Sequence, residues 1–130
     1  LQLERAQHGG LDVTEWVCWF IDQMQAACDV ASKVIDDTLI KARFWLDHKD
    51  KPLNERQRKV MNLLLNAGPG GFAGGMSTKK YEHIATTSRA TASRELLELE
   101  ALQMLGRVGA GRSTRYYVNL PGWGPVSAAQ

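Results

Sequence analysis

The sequence predicts a mainly α-helical fold with a small β-wing, in which a long N-terminal helix precedes a winged helix-turn-helix domain. Between Thr14 and about His48 it contains neither glycine nor proline, and apolar residues recur at steps of three and four. After Pro52, capping residues and glycine-containing turns mark out a helix, a short strand, two helices joined by a turn, and a β-hairpin. That order of elements is typical of a winged helix.

The chain divides into three predicted segments: a helical segment over 1–52, a winged helix-turn-helix domain over 53–120 and a flexible tail over 121–130. Residues 1–52 hold six Lys/Arg and nine Asp/Glu, a balance of −3, whereas residues 53–130 hold ten and five, a balance of +5. Basic charge therefore collects in the second part, which permits a nucleic-acid partner without requiring one.

The long helix is expected to begin at Asp12 or Thr14 and to end before Pro52, with an optional break at Asp36 and Asp37. Over 16–21 its apolar residues surround almost the whole circumference, which is typical of a helix inside a larger assembly. Four large side chains therefore predict a dimer or interdomain contact, and they are Trp16, Trp19, Phe20 and Met24. The candidate partners are a second copy, giving a homodimer, and a domain upstream of Leu1, since Leu1 begins in helix-like sequence without an initiator Met.

Several other classes of function are not indicated. Cys18 and Cys28 are too far apart to bridge within one helix, and we expect them to be buried, reduced thiols of a cytoplasmic protein. The sequence contains no run of about 18 apolar residues, so we expect no membrane-spanning helix and no contact with a membrane. The three histidines have no partner at ligand spacing, so we expect neither a metal nor another cofactor. The glycine-rich stretch 68–75 lacks the Gly-Lys-Ser/Thr of a phosphate-binding loop and is interpreted as a connector.

The first helix of the second part has a clear start and stop. Asn54 followed by Gln57 predicts a capping box, and Gly68-Pro69 predicts the end. Its predicted buried face consists of Val60, Met61, Leu64 and Leu65.

The remaining elements follow from caps and turns. Met76 is expected to form a very short strand, Ser77 or Thr78 to cap a helix that ends near residue 85, and Ser88 to cap a recognition helix that ends near Gln103. Strands over 104–108 and 114–120 are expected to flank a hairpin loop at 109–113.

The recognition helix is expected to bury one face and to present the other. The buried face is predicted to consist of Ala92, Leu96, Leu99 and Gln103, at steps of four, three and four. The outward face, Ala90, Ser93, Arg94 and Leu97, is the one that enters the major groove in a helix-turn-helix. Arg94 has the donors that fit O6 and N7 of guanine, and Arg89 and Thr91 beside it suit phosphates.

The predicted DNA-binding residues come from three elements. They are Lys79, Lys80, Ser88, Arg89, Ala90, Thr91, Ser93, Arg94, Arg107, Arg112 and Arg115. Two lysines in a first helical turn oppose the helix dipole, which favours an external anion there, and a basic wing suits a phosphate backbone or a minor groove. The alternative is a solvated helix face on a protein-interaction module, with Glu95 and Glu98 pairing with neighbours at helical spacing; the outward Leu97 favours this alternative.

Several stretches resemble the C-terminal winged-helix region of larger Fic-family proteins. These are residues 12–16 (DVTEW), 19–20 (WF), 41–45 (KARFW), 52–60 (PLNERQRKV), 88–96 (SRATASREL) and 111–116 (GRSTRY). The resemblance implies a regulatory domain of a protein whose upstream catalytic part transfers AMP from ATP to hydroxyl side chains. The family signature, a His-Pro-Phe loop continuing into Asp/Glu-Gly-Asn-Gly-Arg, does not occur in this sequence, so no catalytic residue is carried over and no enzyme activity is expected from this chain.

The resemblance also has one departure. Fic relatives have Gly-Val just before the serine of the recognition helix, where this sequence has Thr86 and Thr87. If Thr86 adopts a positive φ, its β-branched side chain is strained. The sequence therefore predicts a non-catalytic, DNA-binding regulatory domain, with the missing Fic catalytic domain as a partner. The alternative is a dimerisation or docking module that does not bind DNA.

Overall fold

The computed structural model of the chain describes residues 12–70 and 72–125. This part is mainly helical with one small antiparallel sheet, as the sequence predicts. Its elements are α1 (Thr14–Asp47), α2 (Glu55–Ala67), α3 (Thr78–Ala85), α4 (Arg89–Ala101), β1 (Leu105–Val108) and β2 (Arg115–Val118). The chain forms two compact units, Leu1–Phe44 and Trp45–Gln130, so the division falls within α1 and not at residue 52.

The first unit contains most of α1, which is continuous through Asp36 and Asp37. The Asp12 carboxylate caps it by accepting hydrogen bonds from Thr14 Oγ1 at 2.6 Å and Thr14 N at 3.1 Å, and these bonds lower the pKa of Asp12. The prediction that Cys18 and Cys28 are buried is wrong, since both thiols are free and exposed. Within the described part of this unit α1 is the only regular element, so no other helix or strand of the unit covers them.

The second unit begins its core with α2. Asn54 Oδ1 accepts from Gln57 N at 2.8 Å and Gln57 Oε1 accepts from Asn54 N at 3.0 Å, which confirms the predicted capping box. The helix ends at Gly68, whose φ of 76° is readily adopted by glycine. The four predicted core residues of α2 are all buried: Val60, Met61, Leu64 and Leu65. On the exposed side of α2, the Arg58 guanidinium lies 5.6 Å from the centre of the Trp45 ring.

The helix-turn-helix is formed by α3 and α4. Ser77 and Ser88 cap the two helices, accepting from Lys80 N and Thr91 N, each at 3.2 Å. Between the helices Thr86 has φ 51° and ψ 57°, so the condition under which its β-branched side chain is strained is met.

The buried face of α4 is formed by Ala92, Leu96 and Leu99, as predicted. The prediction that Gln103 shares this face is wrong. Because α4 ends at Ala101, Gln103 lies beyond the helix at φ 62°, where it is exposed and turns the chain toward β1.

The wing is the hairpin of β1 and β2, paired from Leu105 with Val118 to Val108 with Arg115. Met76 adds the predicted short strand as an isolated bridge to Tyr116, with both N–H···O bonds at 2.8 Å. Residues 121–130 are predicted to form a flexible tail, but Trp123 within this segment is buried. Residues 126–130 lie outside the described residues. Among the helices described, none has both the length and the apolar character that crossing a membrane requires.

Candidate nucleic-acid interface

An open groove separates the first turns of α3 and α4 from the tip of the wing. Its volume is about 270 Å³. The lining residues are Ser77, Thr78, Lys79, Arg89, Gly111, Arg112, Thr114 and Arg115. Four of these are cationic and none is acidic, so the three elements that the sequence singles out bring positive charge to one concave surface.

Local sequence explains why this groove is basic. Ser77 caps α3 and Ser88 caps α4, so Lys79 and Arg89, which both line the groove, fall in first helical turns. Cations there face the positive end of a helix dipole and are unfavourable without a nearby anion. Backbone N–H groups in a first turn also attract anions. A phosphate in the groove would satisfy both the side chains and the helix ends.

The outward face of α4 is exposed at all four predicted positions, which are Ala90, Ser93, Arg94 and Leu97. Arg94 Nε lies 3.7 Å from Glu98 Oε1, with 67% of the Arg94 side chain exposed. An exposed ion pair of this length contributes little energy, so the guanidinium is available to an external acceptor. The small side chains of Ala90 and Ser93 leave room for close approach of a partner, whereas Leu97 adds an apolar patch.

A second, wider concavity of about 730 Å³ runs along the turn between α3 and α4. It is lined by Lys79, Glu82, His83, Thr86, Thr87 and Ser88. Lys79 lines both concavities, which therefore adjoin, and the first turn of α4 lies where they meet.

The structure gives Lys80 a different role from the predicted one. Its ammonium donates to Ala73 O at 2.6 Å and Gly75 O at 2.8 Å, and it lies 5.1 Å from the centre of the Phe72 ring. These contacts use the cation to hold the glycine-rich loop against α3. Lys80 is therefore assigned to the fold and not to the groove.

The other predicted residues differ in how fully they are engaged. Arg115 donates to Thr114 O at 2.7 Å and Arg112 O at 3.3 Å, which orders the hairpin turn. Arg107 pairs with Glu100 at 3.3 Å and does not line the groove. Thr91 is half-buried, and its Oγ1 lies 3.0 Å from Ser88 Oγ.

A buried polar cluster that the sequence analysis did not predict lies behind α4, and the expectation that Glu95 pairs with neighbours at helical spacing on a solvated face is wrong. Glu95 is only 1% exposed, and its carboxylate accepts from Tyr81 Oη at 2.7 Å, Asn54 Nδ2 at 2.9 Å and the Arg56 guanidinium, whose Nε is 3.1 Å away. Burial raises the pKa of Glu95, but the bonds from Arg56, Tyr81 and Asn54 outweigh it and hold the pKa below its ordinary value. The cluster thereby connects α2, α3 and α4. Its signal in the sequence was the position of Glu95, three residues after Ala92 and next to Leu96, within the apolar face.

The surface as a whole suits a polyanion, with cations in a groove and a small-residue helix face beside it. Within the part of the chain that the structure describes, no three His, Cys, Asp or Glu residues cluster closely enough to hold a metal ion.

No protein-family model matches the chain, and no curated protein matches its sequence.

Proposed function

We propose that the second unit binds duplex DNA through its winged helix-turn-helix and is a non-catalytic regulatory domain of a cytoplasmic Fic-type protein. The observation that carries DNA binding is the groove in which α3, α4 and the wing each contribute cations without a carboxylate. The Fic setting rests on the sequence resemblance alone, carried by the combination of stretches between residues 12 and 116. The upstream Fic catalytic domain is then a partner, and we expect no AMP transfer from this chain.

In this proposal the phosphates and the bases are contacted by different residues. Lys79, Arg89 and Arg112 bind phosphates at the edges of the groove, which fixes the register of the protein on the duplex. The outward face of α4 enters the major groove, where Arg94 donates to O6 and N7 of a guanine. The wing follows the neighbouring backbone.

The test is the affinity for a fluorescently labelled duplex as a function of salt concentration. We expect binding at about 50 mM salt that weakens steeply as salt is added, because phosphate contacts release counterions. Arg89→Ala and Arg112→Ala are each expected to weaken binding and to reduce the slope of log K against log salt by about 1. Lys49→Ala is the matched control, because Lys49 is an exposed cation of the same unit outside the groove.

Two results would count against DNA binding through this groove. One is a wild-type chain that binds no duplex at about 50 mM salt. The other is a loss in Lys49→Ala as large as that in the groove variants, which would show that only net charge matters.

A second candidate function is protein docking, and Leu97 is the observation that favours it. It is 47% exposed at the centre of the outward face of α4, where DNA offers few apolar contacts beyond the thymine methyl group. A docking module would bind a separately prepared Fic catalytic domain, and Leu97→Ser would weaken that binding. Duplex binding that persists in Leu97→Ser would instead favour the DNA proposal.

A further inference from the structure

The outward face of α4 carries one large apolar side chain, that of Leu97. The buried residues Ala92, Leu96 and Leu99 lie on the opposite side of the helix. Leu97 follows Ala90 by seven residues, which is close to two full turns, so the two lie on one line facing away from the core. Leu97 remains 47% exposed, and packing within the second unit therefore leaves much of its side chain in water.

The side chains around Leu97 on the surface of α4 are small or charged. Residues three and four positions away are its neighbours on a helix, and here they are Ser93, Arg94, Glu100 and Ala101. A stable protein contact covers about 800 Å² on each partner, which is far more than one leucine presents. A lone apolar side chain is closer in size to a single methyl group, such as the one that thymine carries in the major groove of DNA.

The charge of α4 limits how much of the helix a duplex can approach. Up to Leu97 the helix contains two arginines, Arg89 and Arg94. The carboxylate of Glu95 belongs to the same part, but it is only 1% exposed. The side chain of Glu98 is 50% exposed, and phosphates repel such a carboxylate. Leu97 is therefore the last outward-facing residue before the charge of the exposed surface changes sign, and it lies within the part that a polyanion can approach.

Arg94 and Leu97 lie one helical turn apart, which determines the bases that they can contact together. Three residues of an α-helix advance by about 4.5 Å along its axis. Successive base pairs of a duplex are about 3.4 Å apart. When Arg94 donates to O6 and N7 of a guanine, as in the proposed complex, Leu97 is therefore level with an adjacent base pair. The apolar group that a base pair exposes in the major groove is a methyl group on C5 of a pyrimidine.

We propose that Leu97 is a specificity-determining residue that contacts the 5-methyl group of a pyrimidine next to the guanine bound by Arg94. The inference rests on the proposed DNA binding and adds the class of sequence that is recognised, a guanine beside a 5-methylpyrimidine. Thymine supplies this methyl group in unmodified DNA, and 5-methylcytosine supplies the same group in methylated DNA. The contact removes the apolar surface of both the leucine and the methyl group from water, which favours binding.

The experiment begins with the selection of duplexes from a randomised pool by the full chain. We expect the enriched sequences to contain a guanine next to a thymine. Replacing that thymine by uracil removes the methyl group alone, and we expect the Kd to rise about fourfold, the change that corresponds to exposing one such group to water. A second pool, made with 5-methylcytosine in place of cytosine, distinguishes the two sources, because enrichment of 5-methylcytosine beside guanine would identify methylated DNA as the ligand.

Two leucine variants assign the effect of the methyl group to a residue. Leu97→Ala is expected to bind the methylated and unmethylated duplexes with equal affinity, while its binding still weakens as salt is added. The substitution is mild for the fold, because Leu97 is exposed and alanine favours a helix. Leu63→Ala is the matched control, since Leu63 is a 36% exposed leucine of α2, and it is expected to retain the preference for the methyl group.

The outcomes separate this inference from the proposed DNA binding. Salt-dependent binding by the wild type that is unaffected by the methyl group in both pools would overturn the inference alone, and Leu97 would then be assigned to protein docking. A preference for the methyl group that persists in Leu97→Ala would also overturn it, because another residue would make the contact. A wild-type chain that binds no duplex would overturn both the inference and the proposed function.

Discussion

At the scale of single residues, the carboxylate of Glu95 accounts for how α2, α3 and α4 are joined behind the candidate interface. It accepts hydrogen bonds from Asn54, the N-cap residue of α2, from Arg56 in the first turn of α2, and from Tyr81 of α3. We expect Glu95→Gln to lower the free energy of unfolding by about 2 kcal/mol, because charge-assisted bonds are lost from a buried site. Chemical denaturation measures this. Glu82→Gln, a partly exposed change on α3, is the control and should stay within about 0.5 kcal/mol of wild type.

The same residue predicts a dependence of stability on pH. The folded-state pKa of Glu95 is lowered, so its contribution is complete above the unfolded-state pKa of about 4.3 and is lost as pH falls through the folded value. We therefore expect the stability difference between wild type and Glu95→Gln to be constant from about pH 5 upward and to shrink below about pH 4. A difference that grows on acidification would contradict this assignment.

At the scale of elements, the turn between α3 and α4 stores strain at Thr86, which sits at φ 51°. The left-handed region costs a residue with a Cβ about 1 kcal/mol, and more when it is β-branched. Thr86→Gly is expected to raise the free energy of unfolding by about 0.5–1 kcal/mol. Thr87→Gly is the control, because Thr87 does not have a positive φ and glycine there should destabilise. Equal shifts of the two variants in thermal unfolding would exclude strain at Thr86.

The elements also show what local sequence determines. Asn54, Ser77 and Ser88 mark helix starts because capping is a contact between residues two or three apart, and all three caps are confirmed. The roles of Lys80 and Glu95 depend on partners that only folding brings near, as with Glu95 and Asn54, which are 41 residues apart. The spacing of apolar residues predicts Gln103 on the buried face of α4, but this spacing continues beyond Ala101, where the helix ends.

At the scale of the whole molecule, the second unit is proposed to bind DNA and the first unit is predicted to mediate self-association. Substitutions in one unit should therefore leave the property of the other unit unchanged. Arg112→Ala is expected to weaken duplex binding without changing the sedimentation mass, because Arg112 lies in the wing. Phe20→Glu, at one of the four residues predicted for dimer contact, is expected to halve the mass of a self-associated chain and to leave the effect of Arg112→Ala on the salt slope unchanged, because Phe20 lies in the first unit. An Arg112→Ala chain that also sediments as a monomer would contradict this separation.

A single DNA-binding surface formed by α3, α4 and the wing is tested most directly by mapping that surface by NMR. A mixed-sequence duplex would be titrated into the isotopically labelled chain while backbone amide shifts are recorded. We predict that the largest shift changes lie at Lys79, Arg89, Arg94 and Arg112, and that those at Lys49 are small. Shift changes confined to α1, or spread evenly over all cationic residues, would contradict a DNA-binding surface formed by α3, α4 and the wing.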